Sequence, residues 1–89
     1  MVGTAVPNPF NPNTKLRFST TKDGLVELAI FNLRGQKVAT VVLDVLPAGE
    51  HERIWAGRDD SGRSISSGVY FARFKSGSTV ISQRLVLVQ

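Results

Sequence analysis

The 89-residue chain contains 42% hydrophobic residues, 20% charged residues and no cysteine. This length corresponds to one small domain, and the composition is that of a globular protein. The absence of cysteine excludes a disulfide scaffold, a zinc ribbon, an iron–sulfur site and a thiol nucleophile. The net charge of +4 is spread along the sequence rather than clustered, so nucleic acid is not an expected partner.

Residues 1–13 are predicted to form an extended N-terminal segment that belongs to the domain. Three prolines between Val6 and Asn13 exclude a helix and remove three backbone donors. Phe10 is the large apolar side chain of this stretch, and we expect it to pack against one end of the β-structure. No stretch has the length and hydrophobicity of a membrane helix, and the N-terminus lacks a signal-peptide pattern.

Residues 14–89 are predicted to be all-β. From Gly24 onward, glycines recur every five to fourteen residues between short runs rich in Val, Ile, Leu, Phe and Thr, a spacing typical of a β-sandwich or barrel. We find no apolar stripe of helical period, and Asp44–Gly49 is expected to be a loop. The predicted strands are Thr14–Thr20, Leu25–Asn32, Lys37–Leu43, Glu50–Trp55, Gly68–Lys75 and Thr79–Val88.

Few side chains suggest catalysis or ligand binding. His51 is the single histidine, and the sequence places no nucleophile and orienting acid beside it, which favours a structural or surface role. Asp59–Gly62 resembles half of a calcium loop without its closing acid. A turn is favoured, in which aspartate accepts backbone N–H bonds and Gly62 has positive φ; a weak metal site is the alternative. Trp55 is expected in the core. No enzyme activity, cofactor or metal is predicted.

Five segments in order resemble the type A C-terminal sorting domains of the type IX secretion system. They also resemble the immunoglobulin-like domain of the flagellar hook-capping protein, a family similar in sequence to the sorting domains. The segments are Pro7–Pro12, Asn32–Val38, Pro47–His51, Trp55–Arg63 and Ser67–Phe71. The resemblance covers Val6 to Gln89. It implies an immunoglobulin- or fibronectin-like antiparallel β-sandwich of about seven strands.

The resemblance also implies a non-enzymatic sorting or surface-anchoring module of a larger exported bacterial protein, read by an outer-membrane secretion machinery. Such a protein is secreted or held at the cell surface. The end of the sequence at Gln89, directly after an apolar strand, fits a chain terminus. One alternative is a structural or assembly module like the hook-capping domain. The other is a carbohydrate-binding accessory domain, which requires two or more aromatic residues exposed on one face.

Three positions depart from the pattern of the sorting domains. Ala56 stands where aspartate is usual after the tryptophan, and Arg53 stands where an apolar residue is usual two positions before it. Arg53 must therefore extend its charged end towards water or face solvent. Gln83 and Arg84 replace a pair of lysines at the start of the last strand, so that Arg84 alone supplies the basic charge there.

The terminal strand is the predicted contact site, because an edge strand can be read by a partner through strand addition. We expect the strand that begins at Gly68 to pair with it, and the Tyr70 hydroxyl to bond back to the backbone. The expected partners are translocon or sortase-like proteins, together with a second copy of the chain through the same edge, without membrane insertion. The predicted partner-binding residues are Gly68, Val69, Tyr70, Arg84, Leu85, Val86, Leu87 and Val88.

Overall fold

Seven β-strands form two antiparallel sheets in the computed structural model, which describes residues 1–89. The strands are β1 (Val2–Val6), β2 (Thr14–Thr20), β3 (Gly24–Phe31), β4 (Lys37–Leu46), β5 (Gly49–Trp55), β6 (Gly68–Ser76) and β7 (Thr79–Leu87). The smaller sheet has the order β1-β2-β5, and the larger sheet has the order β4-β3-β6-β7. The predicted all-β, antiparallel sandwich is therefore confirmed. None of its elements is a helix of the length and apolar character needed to span a bilayer.

The alternation of apolar and polar residues decides which side of each strand is buried. On β2, Leu16 and Phe18 are buried while Lys15 and Arg17 are exposed. Burial of each large apolar side chain contributes about 1.5–3 kcal/mol, so this shared interior supplies most of the stabilisation. The largest side chains in it with less than 2% exposure are Phe74, Leu16, Leu28, Ile30, Leu85, Leu87 and Val26.

Two features of the strands differ from the sequence prediction. The structure adds β1, which pairs with β2 along its whole length, from Val2 opposite Ser19 to Val6 opposite Lys15. The inward-facing residues of β1 include Gly3 and Ala5, which are too small to produce a clear hydrophobic alternation. In addition, β4 continues through residues 44–46, which were predicted to be loop, because this part of β4 pairs with the first residues of β3.

Aromatic residues close one end of the sandwich. Phe10 is 2% exposed, and its ring centroid lies 5.7 Å from that of Trp55. Trp55 is also buried, and its Nε1–H donates to the Arg58 carbonyl. The Tyr70 hydroxyl donates to the Ser66 carbonyl at 2.7 Å. The predicted packing of Phe10, burial of Trp55 and backbone hydrogen bond of Tyr70 are all confirmed.

The glycine at position 3 leaves room for the buried ring of Phe74. A Cβ atom added to Gly3 would lie 2.7 Å from Cδ1 of Phe74. We expect Gly3→Val to lower the free energy of unfolding by about 1–3 kcal/mol, because either the ring or β1 must move. Thr4→Val, on the exposed side of the same strand, is the matched control and should change it by less than about 0.5 kcal/mol. Urea unfolding measures both, and equal effects would contradict this role of Gly3.

Candidate partner-binding edge of the terminal strand

The terminal strand β7 lies at one edge of the four-stranded sheet and pairs with β6 alone. The pairing runs without a bulge from Gly68 opposite Leu87 to Ser76 opposite Thr79. This confirms that the strand beginning at Gly68 is the partner of the terminal strand. Backbone groups of successive residues in such a strand point alternately towards and away from the neighbour. Every second residue of β7 therefore presents its N–H and C=O groups to the outside of the sheet.

The segment Asn8–Phe10 covers the C-terminal half of this outer edge. The Phe10 N–H donates to the Val86 carbonyl, and the Val88 N–H donates to the Phe10 carbonyl, both at 2.9 Å. The side chain of Asn8 continues the pairing: its Nδ2 donates to the Arg84 carbonyl at 2.7 Å, and its Oδ1 accepts from the Val86 N–H at 2.9 Å. This half of the strand therefore has no free edge.

The N-terminal half of the same edge is open. Val80 and Ser82 have the same outward orientation as Arg84 and Val86, because the β6–β7 register is unbroken. No hydrogen bond from outside the sheet satisfies the backbone groups of Val80 or Ser82. We call Val80–Arg84 the open edge. It offers a short row of unpaired donors and acceptors, the feature that strand addition requires. The row ends at the Arg84 N–H, because the Arg84 carbonyl already accepts from Asn8.

Seven of the eight predicted partner-binding residues lie on β6 or β7, and the eighth, Val88, directly follows β7. Some of their side chains point into the core, so a partner at the edge would not touch them; these are Tyr70, Leu85 and Leu87. Gly68 and Val69 lie on β6, one strand in from the edge. The side chains turned towards solvent are those of Arg84, Val86 and Val88. Backbone groups, rather than apolar side chains, are thus what β7 presents at its edge.

The loop between β5 and β6 covers part of the opposite edge of this sheet. The Thr40 N–H of β4 donates to Asp60 Oδ1 at 2.8 Å. The neighbouring Asp59 organises the loop, because its Oδ1 accepts from the Ser61 N–H, the Ser61 hydroxyl and the Arg63 N–H. These hydrogen bonds, led by that of the Ser61 hydroxyl, hold the pKa of Asp59 below its ordinary value. With Gly62 at φ +86°, the predicted turn at Asp59–Gly62 is confirmed.

The remaining candidate residues have structural surroundings. The His51 ring stacks on Phe18 with 5.3 Å between centroids, and its Nε2 lies 2.8 Å from the Pro47 carbonyl oxygen. No group of three or more His, Asp or Glu side chains is placed to hold a metal ion. Arg53 is half-buried, and its guanidinium donates to the Glu52 carbonyl. Its charged end thus reaches a polar partner at the surface, as expected for an arginine at an inward-facing position.

The carboxylate of Glu27 is the centre of the charge pairing on the solvent side of the larger sheet. It lies 3.2 Å from Lys37 Nζ and 3.6 Å from Arg73 Nη2. The hydrogen bond from Lys37 lowers the pKa of Glu27 from its ordinary value of 4.5, and the charges of Lys37, Arg73 and Lys75 lower it further against the opposing effect of desolvation. Glu27 therefore stays ionised in the folded protein at pH values where a free glutamate begins to protonate.

Two antiparallel sheets packed around a common core, with a tyrosine bonded back to the backbone beside the last pair of strands, define an immunoglobulin-like β-sandwich. Residues 10–79 match the sequence model of the FlgD Ig-like domain, and the chain belongs to this family. The resemblance seen in the sequence is thereby confirmed. No curated protein matches the chain at a significant level.

Two solved structures from Porphyromonas gingivalis are similar in fold. One is dimeric latent PorU, with a TM-score of 0.74, 18% identity and coverage of 97% of this chain. The other is PorZ, described as an essential bacterial surface component of the type-IX secretion system, with a TM-score of 0.65, 17% identity and coverage of 98%. This chain spans 9% of the PorU chain and 11% of the PorZ chain. At these identities the likeness is one of fold.

The side chain of Asn8 is expected to protect the terminal edge. Asn8→Ala removes two hydrogen bonds to β7 and should lower the free energy of unfolding by about 1–2 kcal/mol. Amide hydrogen exchange at Val86 should become faster, because its N–H then faces water. Asn13→Ala removes an exposed asparagine that makes no such bond and serves as the control. Unchanged exchange at Val86 in the Asn8 variant would show that the amide side chain does not hold the edge.

The lowered pKa of Glu27 predicts a pH-dependent stability. The ionised carboxylate stabilises the folded state above its unfolded pKa, and this contribution is lost as the pH falls through the lower, folded pKa. Glu27→Gln should therefore lower the melting temperature at pH 7, and the difference from wild type should shrink below about pH 4. Glu50→Gln, which removes a carboxylate that forms no ion pair in the structure, is the control. A difference for Glu27→Gln that is constant from pH 7 to pH 2.5 would contradict the assignment.

Proposed function

We propose that this chain is a non-enzymatic sorting module of a larger exported bacterial protein, and that an outer-membrane secretion machinery reads it. The observation that carries the proposal is the match of nearly the whole chain to about a tenth of each of two much larger proteins. One of these is described as a surface component of the type-IX secretion system. Membership of an immunoglobulin-like domain family, together with the open edge of β7, supports a binding role over catalysis.

In this proposal the partner is a translocon or sortase-like protein, and the contact is strand addition at the open edge. Ser82 lies at the middle of that edge, with its backbone N–H and C=O directed outward. Arg84 supplies a charge next to it that a reader protein can use for register. A longer added strand would have to replace Asn8–Phe10 on β7. The protein that carries the module is then secreted or displayed at the cell surface.

A structural or assembly module is the second candidate, because the family match is to the FlgD Ig-like domain over residues 10–79. In that case the open edge would pair with a subunit of an assembly, or with a second copy of this chain. A carbohydrate-binding role has less support. Trp55 and Tyr70 are buried, and Phe71 is half-buried opposite Phe31.

A reporter fusion tests the sorting function through one backbone hydrogen bond. The module is fused to the C-terminus of a periplasmic reporter in a bacterium with a type IX secretion system, and the exported fraction is measured. Ser82→Pro removes the outward N–H at the centre of the open edge, a position where an edge strand tolerates proline. We expect export to fall by about tenfold or more, the effect of losing about 1.4 kcal/mol of binding. Ser82→Ala keeps the N–H and is the matched control.

A single substitution is a better test than deletion of the terminal strand, because that strand contributes to the core. Deleting Val80–Gln89 would remove Leu85 and Leu87, which are 0% and 1% exposed, so lost export could reflect unfolding. Thermal unfolding of the Ser82→Pro fusion shows whether the fold is kept. Equal export of the Ser82→Pro and Ser82→Ala fusions would exclude the open edge as the element that is read. A wild-type fusion that stays in the periplasm would overturn the sorting function and favour the assembly role.

A further inference from the structure

The solvent side of the four-stranded sheet, which we call the outer face, carries an exposed aliphatic patch. Leu25 and Val45 are cross-strand neighbours on β3 and β4. The next row runs across all four strands, from Leu43 on β4 through Glu27 and Lys75 to Val80 on β7. Each of these four aliphatic side chains is at least 50% exposed. Single exposed aliphatic residues are common, but several on one flat face indicate a surface that binds a partner.

The same face carries four of the eleven Lys and Arg side chains of the chain. Cations that are far apart in the sequence are brought onto it by the strand order; they are Lys37, Arg73, Lys75 and Arg84. Glu27 is the carboxylate that opposes them. The net charge of this face is therefore +3, against +4 for the whole chain. Folding thus brings four cations that are scattered along the sequence onto one surface with a single opposing carboxylate.

The solvent side of the other sheet shows no such excess. Lys15 and Arg17 on β2 both lie within 4 Å of Glu52 on β5, and Glu50 is on the same side of the strand. Two cations therefore face two carboxylates. Exposed aliphatic side chains occur on this side too, at Val2, Val6 and Ile54, so that net charge is what distinguishes the basic outer face from the neutral one. An acidic partner is steered towards the basic side, and the effect decreases with salt.

Aromatic rings hold part of the charge in a fixed position. The Arg73 guanidinium lies 4.4 Å from the centroid of the Phe31 ring. Phe31 stands opposite Phe71 on β6, and Phe71 stands opposite Arg84 on β7. The Nε of Arg73 is buried without a hydrogen-bond partner, so the packing against Phe31 and the ion pair of Nη2 with Glu27 set its place. A cation restrained in this way loses little side-chain freedom when a carboxylate binds its exposed end.

The combination of charge and aliphatic surface selects the kind of partner. A second copy packed face to face would place Lys37, Lys75 and Arg84 near the same cations of its neighbour, which disfavours self-association. A nucleic acid would neutralise the cations but leave the aliphatic patch exposed at its border. We propose that the outer face binds an acidic protein surface whose carboxylates surround exposed aliphatic side chains. This proposal does not rest on the sorting function and can fail or hold independently of it.

The area of the outer face sets the expected affinity for the partner. Four strands at about 4.8 Å spacing and eight residues at about 3.3 Å rise give a face of about 20 by 27 Å. That is the area of a small, transient interface. A dissociation constant in the micromolar range, with a strong dependence on salt concentration, is expected.

Synthetic peptides provide a defined probe. An eight-residue peptide of alternating Glu and Leu is titrated into the isotope-labelled protein, and amide chemical shifts are followed by NMR. A peptide of alternating Glu and Ser has the same charge without aliphatic side chains, and an oligothymidylate of eight nucleotides is the nucleic-acid comparison. We expect shifts on the outer face, at Glu27 and Arg73 among others, and binding of the Glu–Leu peptide at least about tenfold tighter than of the Glu–Ser peptide.

Surface variants separate the contribution of charge from that of the aliphatic side chains. Lys75→Glu should weaken binding of the Glu–Leu peptide by about tenfold or more. Leu43→Ser should weaken binding of that peptide by a similar factor and leave binding of the Glu–Ser peptide unchanged. Lys15→Glu on the opposite sheet is the matched control and should have little effect. Equal affinity for both peptides, or for the oligothymidylate, with no effect of Leu43→Ser, would reduce the face to a general polyanion surface and overturn the proposal. So would a dimer in sedimentation experiments that Lys75→Glu stabilises or Leu43→Ser dissociates.

Discussion

Pairing of backbone groups at the edges of two small sheets is the constraint on which the rest of this structure depends. A sandwich of three and four strands has edges that expose N–H and C=O groups to other chains. Here Asn8–Phe10 forms hydrogen bonds with the outward backbone groups in the C-terminal half of β7. Asp60, in the loop between β5 and β6, accepts from a backbone N–H of β4. The part of β7 left open, from Val80 to Arg84, is where a partner strand can add without competing with the chain itself.

The same N-terminal segment ties the edge to the core. Phe10 bonds to β7 through its backbone and packs its ring against Trp55. Trp55 in turn lies edge-on to Tyr70, at 6.3 Å between ring centroids. A force that lifted Asn8–Phe10 from β7 would therefore expose a buried aromatic ring. This coupling makes full uncovering of the edge costly, and it favours the shorter open edge as the first point of contact for any partner.

Edge and outer face offer two different kinds of recognition on adjacent parts of one sheet. The edge is read through backbone hydrogen bonds, which depend little on sequence, whereas the outer face is read through charge and aliphatic contact. Arg84 and Val80 belong to both surfaces. A partner that used both would gain orientation from the charges and affinity from the added strand, although each surface is small by itself.

Local sequence pattern determined much of this protein. The alternation along β2 and β3, the turn at Asp59–Gly62, and the burial of Phe10 and Trp55 all follow from short stretches whose physical preferences agree with the fold. The pairing of the strand that begins at Gly68 with the terminal strand was also predictable, but the pattern could not show that Leu85 and Leu87 point inward while the edge beside them is covered. Strand β1 escaped prediction because Gly3 and Ala5 carry almost no hydrophobic signal.

Only the tertiary structure decided what faces solvent at the edge and on the outer face. Asn8 meets Val86 across 78 positions of sequence, and no local propensity records such a contact. The collection of Lys37, Arg73, Lys75 and Arg84 on one face likewise depends on the strand order β4-β3-β6-β7. Period-two alternation assigns each residue to a side of its own strand. Which strands lie next to each other, and hence which charges share a face, is set by long-range packing of the whole core.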